Sequence, residues 1–207
     1  MAIRTGILCV PQLDEDATAA LVHLLRNHTL PIIVIHEAVA ASHRNWIEEI
    51  LRRWCDEDEL DLILTVGGTM PASGPSSREI APEVTQLILE RSLPGLSEAM
   101  RAYGREQSPL ALLDRGVCGI RGQTLIINLP TGAAASVLFL EAIVDLIPSV
   151  LSHLQGESTA PILNNEVELI EQDDAPDSDL DEVRENNASG LSIEEFAKFL
   201  QRGKKQE

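Results

Sequence analysis

The sequence predicts an α/β domain of three layers, a mostly parallel sheet with helices on both faces, followed by an acidic tail. Three observations carry that reading. Apolar runs of strand length alternate with helical patterns from Thr5 onwards, the arrangement that repeated βαβ units produce. The strand runs are continuously apolar, as strands covered on both faces must be. Beyond Gly156 the apolar periodicity gives way to acidic residues.

Taken in order, Thr5 to Val10 reads as the first strand, Asp16 to Asn27 as the first helix and Ile32 to His36 as the second strand. A helix over Arg44 to Trp54 follows. Its Ile47, Ile50, Leu51 and Trp54 recur at i, i+3, i+4 and i+7, a stripe that packs on the sheet. Leu60 to Val66 is the third strand. A Gly/Pro/Ser-rich loop then runs to Ser77, ahead of a helix from Pro82 to Arg91 and another from Gly95 to Gln107. Ala111 to Ile120 and Thr124 to Leu129 read as a hairpin-like pair about Arg121-Gly122-Gln123. A single helix from Ala133 to Leu154 closes the domain, with Gly156 as its stop. The domain therefore spans 1–156.

Residues 157–190 read as a linker. Between Asn164 and Glu185 there are ten acids and one base, so this segment has too little apolar surface to offset the entropy of ordering and is expected to be disordered. Residues 191–203 read as a short amphipathic helix: Ser192 and Glu195 form a capping box, while Ile193, Phe196, Ala197, Phe199 and Leu200 share a face. About ten residues are too few for a helix to be stable alone, so this one must either dock, on the domain or on a protein partner, or stay frayed.

Composition narrows the functional classes. Aromatic residues are only 3% of the chain, so the core must be built from Leu, Ile, Val and Ala, with Trp46 and Trp54 as packing residues. The net charge is −17, with 19 acids against 11 bases in 1–156; such a surface repels nucleic-acid phosphates and anionic membranes, and neither is expected as a partner. All eleven of those bases are Arg, Lys first appearing at Lys198. A bound phosphate would thus rest on Arg or on backbone N–H groups, since no P-loop lysine is available. Cys9, Cys55 and Cys118 are few, distant and flanked by apolar residues, which fits reduced, buried thiols. With no signal-peptide pattern and no stretch of 18 apolar residues, a cytoplasmic location is expected. His23, His28, His36 and His153 lack metal-ligand spacing.

The local feature with chemical content is Thr65-Val66-Gly67-Gly68-Thr69 at the carboxyl end of a strand, the end at which open parallel sheets bind ligands. Paired glycines let a backbone approach a ligand and form an anion-binding nest. Alone, the pattern fits a simple tight turn better than a phosphate site. Downstream lie Gly74-Pro75-Ser76-Ser77-Arg78-Glu79-Ile80-Ala81-Pro82-Glu83, Leu93-Pro94-Gly95-Leu96-Ser97-Glu98-Ala99-Met100-Arg101, the Arg115 to Gly122 run, and Asn128-Leu129-Pro130. In this order the five blocks resemble the MoaB/Mog molybdopterin-binding family, with its TxGGTG loop, R-D-x-T-P-E, PGFGEAMR, SR-x-x-G-x-R-G and NLPG motifs.

The resemblance implies a homotrimer or hexamer that binds molybdopterin and, in active members, transfers AMP from Mg-ATP onto the pterin's terminal phosphate. By the same resemblance Gly67, Gly68, Thr69, Gly74, Ser77 and Arg78 cradle the ligand, Glu98, Arg101 and Arg115 line the cleft, and Asn128 and Pro130 complete it. Glu79 stands where the family has an Asp that serves Mg²⁺ and phosphoryl transfer, and is the catalytic and metal-binding candidate.

The chain also departs from the family. Glu79 lengthens the carboxylate by one methylene, in a reaction sensitive to shifts near 1 Å. Ala40-Ala41-Ser42-His43 replaces the family's V-P-D-D, leaving His43 as a different base there. Met70 to Ser73 are inserted between Thr69 and Gly74, and Pro11-Gln12-Leu13-Asp14 replaces a Ser-Asp start. Thr131-Gly132-Ala133-Ala134 replaces G-S-P-K, removing a Lys. Two functions therefore stand: a molybdopterin adenylyltransferase, or a non-catalytic member that docks a partner through its C-terminal helix.

Overall fold

A computed structural model describes residues 2–71 and 80–156. In these the chain forms strands β1 (Ile3–Cys9), β2 (Ile32–Val39), β3 (Leu62–Val66), β4 (Arg91–Ser92), β5 (Cys118–Arg121) and β6 (Thr124–Leu129). The helices are α1 (Glu15–Asn27), α2 (Arg44–Asp56), α3 (Ala81–Ile88), α4 (Pro94–Gln107), α5 (Ala133–Glu141) and α6 (Ile147–Leu154). The sheet runs β2-β1-β3-β6-β5-β4. Its first four strands are mutually parallel, and β5 alone opposes the rest.

The three-layer expectation holds, because each central strand divides its side chains between two cores. Leu62, Leu64, Val66, Leu125, Ile127 and Leu129 pack with α1 and α5 through Leu21, Leu25 and Phe139. On the other face Ile63 and Ile126 meet Ile47, Leu51, Trp54, Val84 and Ile88 from α2 and α3. The three cysteines are buried and free, and burial pushes the Cys55 and Cys118 thiols up to about 11.

Four expectations are corrected. The closing helix is not continuous: α5 stops at Glu141, a 3-10 turn spans Val144–Leu146, and α6 departs at 50°. Pro148 causes this, since it has no N–H to continue a preceding helix and is accommodated only in a first turn. The strand expected from Ala111 begins only at Cys118; Pro109–Leu113 is a 3-10 turn capped by Ser108, whose Oγ accepts from Leu110 N at 3.3 Å. The helix expected to reach Arg91 ends at Ile88, because Arg91 and Ser92 pair with Ile120 and Gly119. Trp54 is core at 1% exposure, but Trp46 is 59% exposed, lying one residue off the apolar stripe of α2 and so rotated about 100° from it. No single helix among the described residues is long and apolar enough to cross a membrane.

Candidate functional site

The parallel strands stay laced together beyond their carboxyl ends. Val10 N donates to Val66 O at 2.8 Å, Ala40 N to Cys9 O at 3.0 Å and Gly67 N to Leu129 O at 2.9 Å. From β3 the chain turns through Gly67 and Gly68 with φ of 95° and 68°, in the left-handed region. At Gly67 glycine is required for a second reason: a Cβ there would lie 2.2 Å from Val10 O. The turn is thus pressed, backbone to backbone, against the end of β1. Helices α1 and α5 start within a few residues of the ends of β1 and β6, which brings two partially positive amino ends to this end of the sheet.

The next residue fixes the turn. Thr69 is fully buried, its hydroxyl donates to the Asp114 carboxylate, and its carbonyl accepts from Arg115 N at 3.1 Å. The other oxygen of Asp114 accepts from Gly116 N at 2.8 Å. These contacts close a ring that joins the glycine turn to the segment leading into β5. Asp114 is only 4% exposed; burial raises its carboxyl above the ordinary range, outweighing the bonds from Thr69 and Gly116 and the charge of Arg101.

Two arginines meet this ring. Arg101 Nη1 donates to Gly116 O at 3.2 Å, and the Arg115 guanidinium pairs with Glu83 on α3. Glu98 is exposed on α4, three residues before Arg101 on the same helix face.

Asn128 lies beneath the turn. Its Nδ2 donates to Thr65 Oγ1 at 2.7 Å and Thr85 Oγ1 at 2.9 Å, and its Oδ1 accepts from Val117 N at 3.2 Å. With the amide engaged at both ends, Asn128 braces strands. Pro130 is buried, and its carbonyl accepts from Ser136 Oγ at 2.7 Å.

A second carboxylate ties the loops on the α1 side. Asp14 Oδ1 caps α1 by accepting from Ala17 N at 3.1 Å, while Oδ2 accepts from Thr131 Oγ1 at 3.0 Å and Gly132 N at 2.8 Å. Desolvation acts to raise the Asp14 carboxyl, but the three hydrogen bonds together hold it below its ordinary value. The two segments that depart from the family pattern, Pro11 to Asp14 and Thr131 to Ala134, are therefore joined to each other here.

The structure brings together Gly67, Gly68, Thr69, Arg101 and Arg115, with Asn128 and Pro130 as supports. Gly74, Ser77, Arg78 and Glu79 lie outside the described residues, as do the linker and the C-terminal helix. Among the described residues no three His, Cys, Asp or Glu side chains are grouped to hold a metal ion. His43 is exposed at the start of α2, edge-on to Trp46 at 5.3 Å. Asp114, Glu83 and Asp14 were missed as site residues. Asp114 and Glu83 had a signal, the first in its place immediately before Arg115 and the second in its place within the Gly74 to Glu83 block.

Comparison with known proteins gives a concordant result. Residues 5–149 match the family described as "Probable molybdopterin binding domain". A molybdopterin adenylyltransferase of Helicobacter pylori is 36% identical over 143 residues, covering 69% of this chain and 79% of the relative. That of Escherichia coli is 34% identical over 144 residues, covering 70% and 68%. The crystal structure of the molybdopterin biosynthesis enzyme MoaB from Thermus thermophilus is similar with a TM-score of 0.67 at 37% identity, over 74% of this chain and 97% of that one.

Proposed function

The chain belongs to the molybdopterin-binding domain family, and from that premise we propose that it acts in molybdenum cofactor biosynthesis, binding molybdopterin at the glycine turn and adenylylating it with Mg-ATP. The observation that carries this reading is the turn itself. Gly67 is held against Val10 without space for a side chain, and Thr69 is locked to a segment that presents Arg115 with Arg101 beside it. In a domain without lysine, backbone N–H groups and these two guanidinium groups are the anion-binding chemistry that the described residues place beside the turn.

In the proposed reaction an oxygen of the pterin's terminal phosphate attacks the α-phosphorus of ATP, and pyrophosphate leaves as the new P–O bond forms. The protein's part is to align the two phosphates and to offset their charge. Arg101 and Arg115 would supply that charge, with Gly67 and Gly68 admitting the ligand to the backbone. Mg²⁺ takes one or two carboxylates plus substrate phosphates rather than a cage of protein ligands; Glu79 is the carboxylate proposed to hold it. The proposed setting is the cytoplasm, and the proposed assembly a homotrimer or hexamer, which sedimentation would establish.

Incubation of the full chain with Mg-ATP and molybdopterin tests the reading. Adenylylated pterin and pyrophosphate are expected in equal amounts. Pterin binding without turnover would leave a binding protein of the same family, and binding of neither ligand would overturn the assignment.

A further inference from the structure

Thr69 is fully buried, and its hydroxyl hydrogen is spent on the Asp114 carboxylate. Its contribution to a ligand site must therefore pass through the backbone. The same carboxylate takes the Gly116 N–H at 2.8 Å, and between these two contacts Arg115 N reaches Thr69 O at 3.1 Å. Gly116 leaves no slack in the ring, since a Cβ there would lie 2.8 Å from Asp114 Oδ1 and 3.0 Å from Asn128 O. One buried acid thus spans two segments 45 residues apart in sequence.

Resting on the function proposed above, we infer that Asp114 is a positioning residue for ligand binding: it fixes the Gly67–Thr69 turn relative to Arg115, so that backbone N–H groups and guanidinium meet one anionic ligand together. A carboxylate suits this task because it accepts on both oxygens at once, which no neutral side chain of that size does. Charge-assisted bonds of this kind are about twice as strong as neutral ones. Asp114 itself touches no ligand. It is the link that makes two separate anion-binding elements into a single site.

The inference separates from a merely structural role through the kinetic parameters. A residue needed only for folding lowers the fraction of active protein, which reduces kcat and leaves KM unchanged. A residue that aligns the binding elements raises KM for the pterin, and with it the dissociation constant, at similar kcat. For Asp114→Ala we expect the dissociation constant of molybdopterin, followed by its pterin fluorescence, to rise by about tenfold or more. Asp114→Asn keeps one oxygen for Gly116 N and offers an amide N–H to Thr69 Oγ1, so it should recover most of that loss.

Thr69→Val removes the same bond with the carboxylate still in place, and serves if Asp114→Ala does not fold. It should raise the dissociation constant in the same direction but by no more than Asp114→Ala, which also frees Gly116 N, and the double variant should be no weaker than Asp114→Ala, because the Thr69 bond is already gone in it. Additive losses, or wild-type affinity in Asp114→Ala, would overturn the inference. If the wild-type chain binds no pterin, the functional reading fails on its own account. Amide hydrogen exchange of the ligand-free protein then still decides the tether. Exchange at Gly67 and Arg115, whose N–H groups bond Leu129 O and Thr69 O, should quicken in both single variants, and unchanged exchange would refute the link without reference to any ligand.

Discussion

The two ends of the sheet use polar groups in opposite ways. At the amino ends of the strands a cleft of about 630 Å³ is lined by Arg4, Asp56, Asp61, Gln123, Thr124 and Gln155 among others. Its carboxylates are already engaged by the fold: Asp61 accepts from Arg4 N at 2.7 Å and Gln155 Nε2 at 3.1 Å, and Asp56 accepts from Arg121 at 2.9 and 2.6 Å. Thr124 Oγ1 likewise donates to Leu60 O at 2.6 Å. These bonds fasten this edge of the sheet to α2 and to the residue that follows α6. At the carboxyl ends the bonds fasten loops to one another, and what they hold in place is a glycine backbone with two arginines beside it. Open space therefore says less about function than the direction in which backbone and charge are held, and parallel sheets present helix amino ends at their carboxyl edge only.

The largest effect is expected at Gly67. Gly67→Ala places a methyl in overlap with Val10 O at a φ of 95°, so we expect a loss of about 2–4 kcal/mol in urea unfolding, together with loss of pterin binding. Retained stability and affinity would show that the turn is less constrained than its contacts imply. Asp61→Ala acts at the opposite end of the sheet. It leaves Arg4 N and Gln155 Nε2 without their acceptor, which should cost about 1–3 kcal/mol while leaving molybdopterin affinity unchanged. A fall in affinity equal to that at Gly67 would make the amino-end cleft part of the site after all.

Much of this was legible in the sequence because it follows from periodicity. The runs around Leu64 and Ile126 are apolar at nearly every position, and only a sheet covered on both faces explains that. The break at Pro148 was legible in principle, yet the apolar pattern on either side of it outweighed the proline. The short β5 could not be read, because Leu110, Leu112 and Leu113 imitate a strand while lying half exposed or more on a 3-10 turn. Within the site, the glycine pair and the arginines were readable as local motifs. The partners of Thr69 and Asp14 were not, since each bond joins residues that only the tertiary fold brings together. Asn128 shows the converse: a motif residue assigned to the ligand by resemblance has both amide hydrogens engaged in bracing β3, β6 and α3.

The smallest effect concerns the two carboxylates that tie the loops, and its sign differs between them. Asp14 has a lowered value in the folded protein, so its contribution is complete above the ordinary carboxylate range and is lost as pH falls through the folded value. Asp14→Ala should therefore lower stability at neutral pH by about 1 kcal/mol through the lost helix cap, and should flatten the loss of stability below about pH 4. Asp114 has a raised value because it is buried, so its contribution is complete below the ordinary range and is lost as pH rises through the folded value. Asp114→Asn should remove that decline on the neutral side of about pH 4, even as it alters the contact that holds the ligand turn. Urea midpoints measured between about pH 3 and 7 read both slopes in one series. If both variants shifted the same limb of the profile, the hydrogen bonds to Asp114 would outweigh its burial, and its carboxyl would stand below the ordinary range rather than above it.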